Sequence, residues 1–133
     1  MAQNASFAEQ IGTNLSKVEA QPEFVGDHLW LTFYLCGPPE RLALLAVALR
    51  AHGWINLDGG QGGFVYAKVQ AEKSFAAIVE TAESTDMLCA EHGIDIDLIT
   101  ADTSPDVEHC QFEILYRDRR EPGLYPAREI SVP

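Results

Sequence analysis

Apolar residues recur along this chain with two periods, one helical and one of two. Phe7, Ile11, Leu15 and Val18 fall at helical spacing, so residues 6–19 read as an amphipathic helix, with Ser6 and Glu9 placed as a capping box. Gly12 weakens that helix by about 1 kcal/mol relative to Ala. A linker follows at residues 21–27, and then Leu29, Leu31, Phe33 and Leu35 alternate with Trp30, Thr32 and Tyr34. That is a strand over residues 28–36, halted by Gly37, Pro38 and Pro39. Pro39 and Gly53 bracket a helix over residues 39–52. It carries two apolar stripes, Leu42, Leu45, Ala46 and Leu49 on one flank and Leu44, Val47, Ala48 and Ala51 on the other. Both flanks demand cover, and the N-terminal helix is placed to supply it.

A short strand at residues 54–57 and a returning strand at residues 64–69 flank the glycine-rich hairpin loop Asp58 to Gly63. The period then lengthens again: Phe75, Ile78, Val79, Ala82 and Cys89 share one face of a helix over residues 72–92, ended by Gly93. Ile94, Ile96 and Leu98 alternate with Asp95 and Asp97 in the next strand. Cys110, Phe112, Ile114 and Tyr116 alternate with His109, Gln111 and Glu113 in a further one. The predicted class is α+β: a ferredoxin-like β-α-β-β-α-β antiparallel sheet with two helices on one face, preceded by an N-terminal helix and followed by an extra C-terminal strand. The 133 residues make one domain, with helix and linker at 1–26, the ferredoxin-like core at 27–102, the extra strand at 103–118 and an irregular tail at 119–133.

Charge sharpens this outline. The net charge is −11, and residues 72–108 hold ten acids against the single base Lys73, so they carry −9 of it. Arg117, Arg119, Arg120 and Arg128 make the end of the chain mildly basic. Such a balance argues against a duplex-DNA reader or a basic membrane-surface protein, both of which meet phosphate with cations. The longest apolar run, Leu42 to Leu49, is far short of the roughly 20 residues of a spanning helix, and no secretory signal is visible. Cys36, Cys89 and Cys110 are odd in number and irregular in spacing, which suits a reducing cytoplasm. The expectation is a soluble, cytoplasmic protein.

No motif carries catalysis. The loop Gly59 to Gly63 lacks the Gly-Lys-Ser/Thr and following helix of a P-loop. The cysteines and His28, His52, His92 and His109 lack the paired spacing of a metal site, so neither metal nor cofactor is expected. Cys89 reads as a buried small hydrophobe, and His52 and His92 as residues that meet helix C-termini. Asp95 and Asp97, roughly 7 Å apart on one strand face, read as the wet side of an amphipathic strand. On the predicted helix over residues 72–92, Glu80, Glu83 and Glu91 lie opposite the core stripe with Met87 among them, a pattern compatible with a contact surface. The sheet face away from the helices would carry Trp30, Tyr34, Trp54, Phe64 and Tyr66. Its cover would be the N-terminal helix, the tail (Leu124, Tyr125, Ile130, Val132) or a second subunit. Base-stacking modules pair such aromatics with a basic field, and here only Lys68 accompanies them.

From about Asp27 to Asp102 the stretches WLTFYL, PPERLALLAVALRAHGW, GGFVYAKV and LCAEHGIDIDLI, after an N-terminal helix, resemble the ribonuclease E inhibitor RraB family of small acidic bacterial regulators. The resemblance implies a ferredoxin-like fold and an activity of protein binding, with no catalytic residues. The family's Asp-Gly-Trp-like turn and very acidic tail are replaced here by Ile94 to Leu98, a further strand and an arginine-bearing tail.

The first functional expectation is therefore a non-enzymatic RraB-like regulator that binds a protein partner with a basic surface. Glu80, Glu83, Met87, Glu91, Asp95 and Asp97 would carry the contact. The alternative is a dimeric ferredoxin-like small-ligand binder or enzyme, with a pocket over the aromatic sheet face lined by His28, Trp30, Tyr34, Trp54, Tyr66 and His109. A third reading is a structural subunit whose aromatic face makes a homodimer.

Overall fold

A strand with bulky residues on both faces suits the middle of a sheet, and that is the position of residues 28–36. The computed structural model describes residues 2–56, 63–105 and 111–118. Its elements run α1 (Ala2–Glu19), β1 (His28–Cys36), α2 (Pro39–Ala51), β2 (Ile55–Asn56), β3 (Phe64–Glu72), α3 (Phe75–Glu91), β4 (Asp95–Asp102) and β5 (Phe112–Arg117). The class is α+β, with one five-stranded sheet in the order β2-β3-β1-β4-β5 and every neighbour antiparallel.

Alternation decides which side chains meet the helices. Leu29, Leu31, Phe33 and Leu35 of β1, Val65 and Ala67 of β3, and Ile99 and Ala101 of β4 are buried in one core with Leu42, Leu45 and Leu49 of α2 and Ile78, Ala82 and Cys89 of α3. Gly53 (φ +90°) and Gly93 (φ +69°) end α2 and α3 in the left-handed conformation that glycine adopts without a Cβ clash. Glu72 belongs to β3 rather than to the helix: α3 starts only after Ser74, whose hydroxyl accepts from the Ala77 amide at 3.2 Å. Phe75, expected in the core stripe, is exposed, and its ring lies against Gly12 of α1.

The N-terminal helix departs from expectation in two ways. It begins at Ala2, so Ser6 sits inside it and is not its N-cap. It also packs on β5 and α3 rather than on α2. Phe7 meets Tyr116 with ring centroids 4.5 Å apart. The Gln10 side-chain amide donates to Arg117 O at 3.1 Å and accepts from the Arg117 amide at 3.0 Å, and Asn14 Nδ2 donates to Leu115 O at 3.0 Å. These side chains occupy backbone groups that an edge strand would otherwise present for pairing with another chain. With α1 placed there, no helix among the described residues lies over the outer flank of α2, and Leu44 and Val47 are exposed. Among the described residues no helix is long and apolar enough to cross a membrane.

The expected hairpin loop from Asp58 to Gly62, the positions of His109 and Cys110, and the tail from residue 119 onward lie outside the described residues.

Candidate functional site

At 100° per residue, the buried stripe Ile78, Ala82, Thr85 and Cys89 leaves Glu80, Glu83, Met87 and Glu91 on the opposite side of α3. Glu80 and Glu91 are exposed and Glu83 is half-buried. Met87 is 67% exposed in their midst, and on α2 Leu44 and Val47 are 60% and 63% exposed. The helix layer thus shows solvent large apolar side chains on both helices, with carboxylates beside Met87 on α3. Asp95, half-buried at the start of β4, extends the acidic side and acts on its neighbours. Desolvation first, and the Asp95 carboxylate second, raise the Asp86 carboxyl above its usual 3.8. Burial, with Asp86 and Asp95 adding to it, pushes the Cys89 thiol up to about 12. Cys89 is a core thiol, without the thiolate character a nucleophile needs.

Asp97 does not join this surface; it is 1% exposed. In the β1–β4 register Tyr34 faces Leu98 and Leu35 faces Ile96, so Asp97 is the extra residue of a bulge. A bulge breaks the alternation that would have sent Asp97 to the wet face with Asp95. Its carbonyl accepts from the Asp118 amide at 2.9 Å.

The aromatic residues split between two faces. Trp30, Tyr34 and Tyr66 lie on the sheet face away from the helices, with the Tyr34 and Tyr66 rings 4.8 Å apart. Trp54 lies on the helix side, edge-on to Phe33 at 5.2 Å. The cause is the chain path: Trp54 leaves the C-terminal end of α2 and precedes β2, so it folds under the helix and not across the sheet. His28 is exposed at the end of β1, opposite Glu72. Lys68, on the same face as Trp30 and Tyr34, donates to Thr32 Oγ1 at 2.6 Å and forms an ion pair with Asp102. Among the described residues, those expected around one pocket are therefore not all gathered: Trp30, Tyr34 and Tyr66 adjoin a closed polar network, and Trp54 faces elsewhere.

Where Trp54 lies, a groove of about 290 Å³ opens between the C-terminal end of α2 and the middle of α3. Leu49, Trp54, Val69 and Leu88 form its apolar floor, and His52, Glu80, Thr81 and Ser84 its polar walls. Of these, Glu80 stands out from sequence as a contact residue, and Trp54 as a lining residue of a pocket expected on the other sheet face. The others come from α2, β3, α3 and the turn that follows α2, and no single period relates them all. The available signal is Thr81, Ser84, Thr85 and Leu88, which recur at helical spacing along one flank of α3. Among the described residues no group of three or more His, Cys, Asp or Glu side chains is placed to hold a metal ion. No protein-family model, no curated protein and no solved structure matches this chain.

Proposed function

We propose that the chain is a small, acidic, non-enzymatic regulatory protein, RraB-like in organisation, that binds the basic surface of a protein partner through its helix layer. The observation that carries this reading is Met87, 67% exposed on α3 with Glu80, Glu83 and Glu91 on the same side. An adaptable apolar contact framed by like charges suits a partner of opposite sign, which the field steers into register. Leu44 and Val47 on α2 widen the apolar contact. Asp97 is no part of the surface; Asp95 adds to the field.

The strand order β2-β3-β1-β4, with α2 and α3 as the crossovers, supports a ferredoxin-like core to which α1 and β5 are appended. Lys68, the cation of β3 beside the sheet-face aromatics, is paired with Asp102, which supports a protein partner over nucleic acid. Cys89 is a core thiol, and three cysteines at irregular spacing suit a reducing, cytoplasmic location.

The test is capture of partners from the source lysate by the immobilised full chain at about 50 mM and about 500 mM salt, the range over which exposed charge pairs are progressively screened. A protein retained at low salt, released at high salt and lost on Glu80→Lys/Glu83→Lys/Glu91→Lys supports the proposal. Retention that ignores both salt and charge reversal sinks it.

A further inference from the structure

Four polar side chains around the groove between α2 and α3, those of His52, Glu80, Thr81 and Ser84, present hydrogen-bond acceptors to it. The Thr81 hydroxyl donates to Ala77 O at 2.8 Å and the Ser84 hydroxyl to Glu80 O at 2.8 Å, so each oxygen offers only lone pairs to a visitor. His52 Nδ1 lies 2.8 Å from Ala48 O, and a carbonyl can only accept. Nδ1 therefore carries the proton, and in the neutral ring Nε2 is an acceptor. The Glu80 carboxylate completes the set, and among the described residues no cation pairs with it. Beneath these acceptors lie the apolar side chains of Leu49, Val69 and Leu88 and the Trp54 indole.

An apolar floor under a negatively charged wall of acceptors is complementary to an aliphatic stem that ends in a donor-rich cation. Guanidinium meets these demands better than ammonium. It is planar, spreads five donors over several acceptors, and stacks on an indole face. A volume of about 290 Å³ has room for one such side chain and not for a whole helix.

We infer that this groove receives an arginine side chain of the basic partner, its stem over Leu49, Val69 and Leu88 and its guanidinium at Glu80. The inference rests on the protein-binding reading above and deepens it, because it names the residue type read and the place where it is read. The rest of the acidic face steers; the groove selects arginine over lysine.

The chain has two tryptophans, so Trp30→Phe leaves Trp54 as the sole emitter, at the groove itself. The probes are an acetylated octapeptide of alternating arginine and alanine and its lysine counterpart, titrated at low salt into the full chain. The arginine peptide shifts Trp54 emission saturably and binds several-fold more tightly than the lysine peptide. Glu80→Gln weakens it about tenfold, the scale of one charged hydrogen bond. Ser84→Phe, which fills the groove, abolishes the shift while circular dichroism stays unchanged. Glu83→Gln and Glu91→Gln each change affinity by less than about twofold, as rim charges do. If the two peptides bind alike, the three glutamate variants weaken both equally and Ser84→Phe does nothing, the groove has no such role and the acidic-surface reading survives. If neither peptide binds, or no variant matters, both readings fall together.

Discussion

Lys68 and Asp102 form an ion pair across β1, bridged by Thr32, on the sheet face turned away from the helices. Each residue is 3% exposed. Thr32 Oγ1 accepts from Lys68 Nζ and donates to Asp102 Oδ2, and the Thr100 hydroxyl donates to Asp102 Oδ1 at 2.9 Å. The network is closed, so its polar atoms have partners without water. Charges out of water are tolerated only when their remaining lone pairs and protons are met in this way.

Removing one partner alone leaves the other charge buried. Lys68→Met is expected to lower stability by about 3–5 kcal/mol, whereas Lys68→Met/Asp102→Leu recovers most of the loss because nothing charged remains to be desolvated. Urea unfolding followed by circular dichroism reads both. A single variant no less stable than the double would mean that the pair is not held away from water.

Cys89 is expected to be inert in the folded protein. Its thiol, pushed up to about 12, has almost no thiolate at pH 8, and its side chain is in the core. Alkylation by iodoacetamide at pH 8, mapped by peptide mass spectrometry, leaves Cys89 unmodified in buffer and modifies it in urea. Modification at equal rates in the two conditions would show that the α3 face carrying Cys89 opens readily.

Asp86 gives the protein a pH dependence of unusual sign for a carboxylate. Its folded pKa is raised above 3.8, so the folded state holds the proton more tightly than the unfolded state does. The stabilising contribution is fully present below 3.8 and is lost as pH rises from there through the raised folded value. Asp86→Asn is therefore expected to be more stable than the parent at pH 7, with the difference shrinking on acidification toward the unfolded pKa. Thermal melts of the two proteins across pH 3 to 7 measure it; a difference that grows on acidification would contradict the assignment.

Each helix and strand announces itself locally because amphipathic periods are set by backbone geometry. The Leu29 to Leu35 alternation, the Ile78 to Cys89 stripe and the punctuation by Pro39, Gly53 and Gly93 are all legible in this way. The exposure of Glu80, Met87 and Glu91 follows from the same 100° step. Asp97 escapes because a bulge arises from the fit of two strands, here Tyr34 to Leu98 and Leu35 to Ile96, and no one-strand pattern encodes it. Trp54 escapes because its side is set by where α2 ends, and α1 because its apolar stripe matches any apolar face equally well.

The sequence alone determined the α+β elements, the concentration of acid in residues 72–108 and the outward face of α3, since each depends on neighbours three or four residues away at most. Only the tertiary structure decided that α1 takes the β5 edge and leaves Leu44 and Val47 bare. The same holds for the Lys68–Asp102 pair, formed across the central strand, and for the groove that α2, β3 and α3 enclose beside Trp54. Those features join residues tens of positions apart, where strand pairing and helix spacing, not local period, fix the distance.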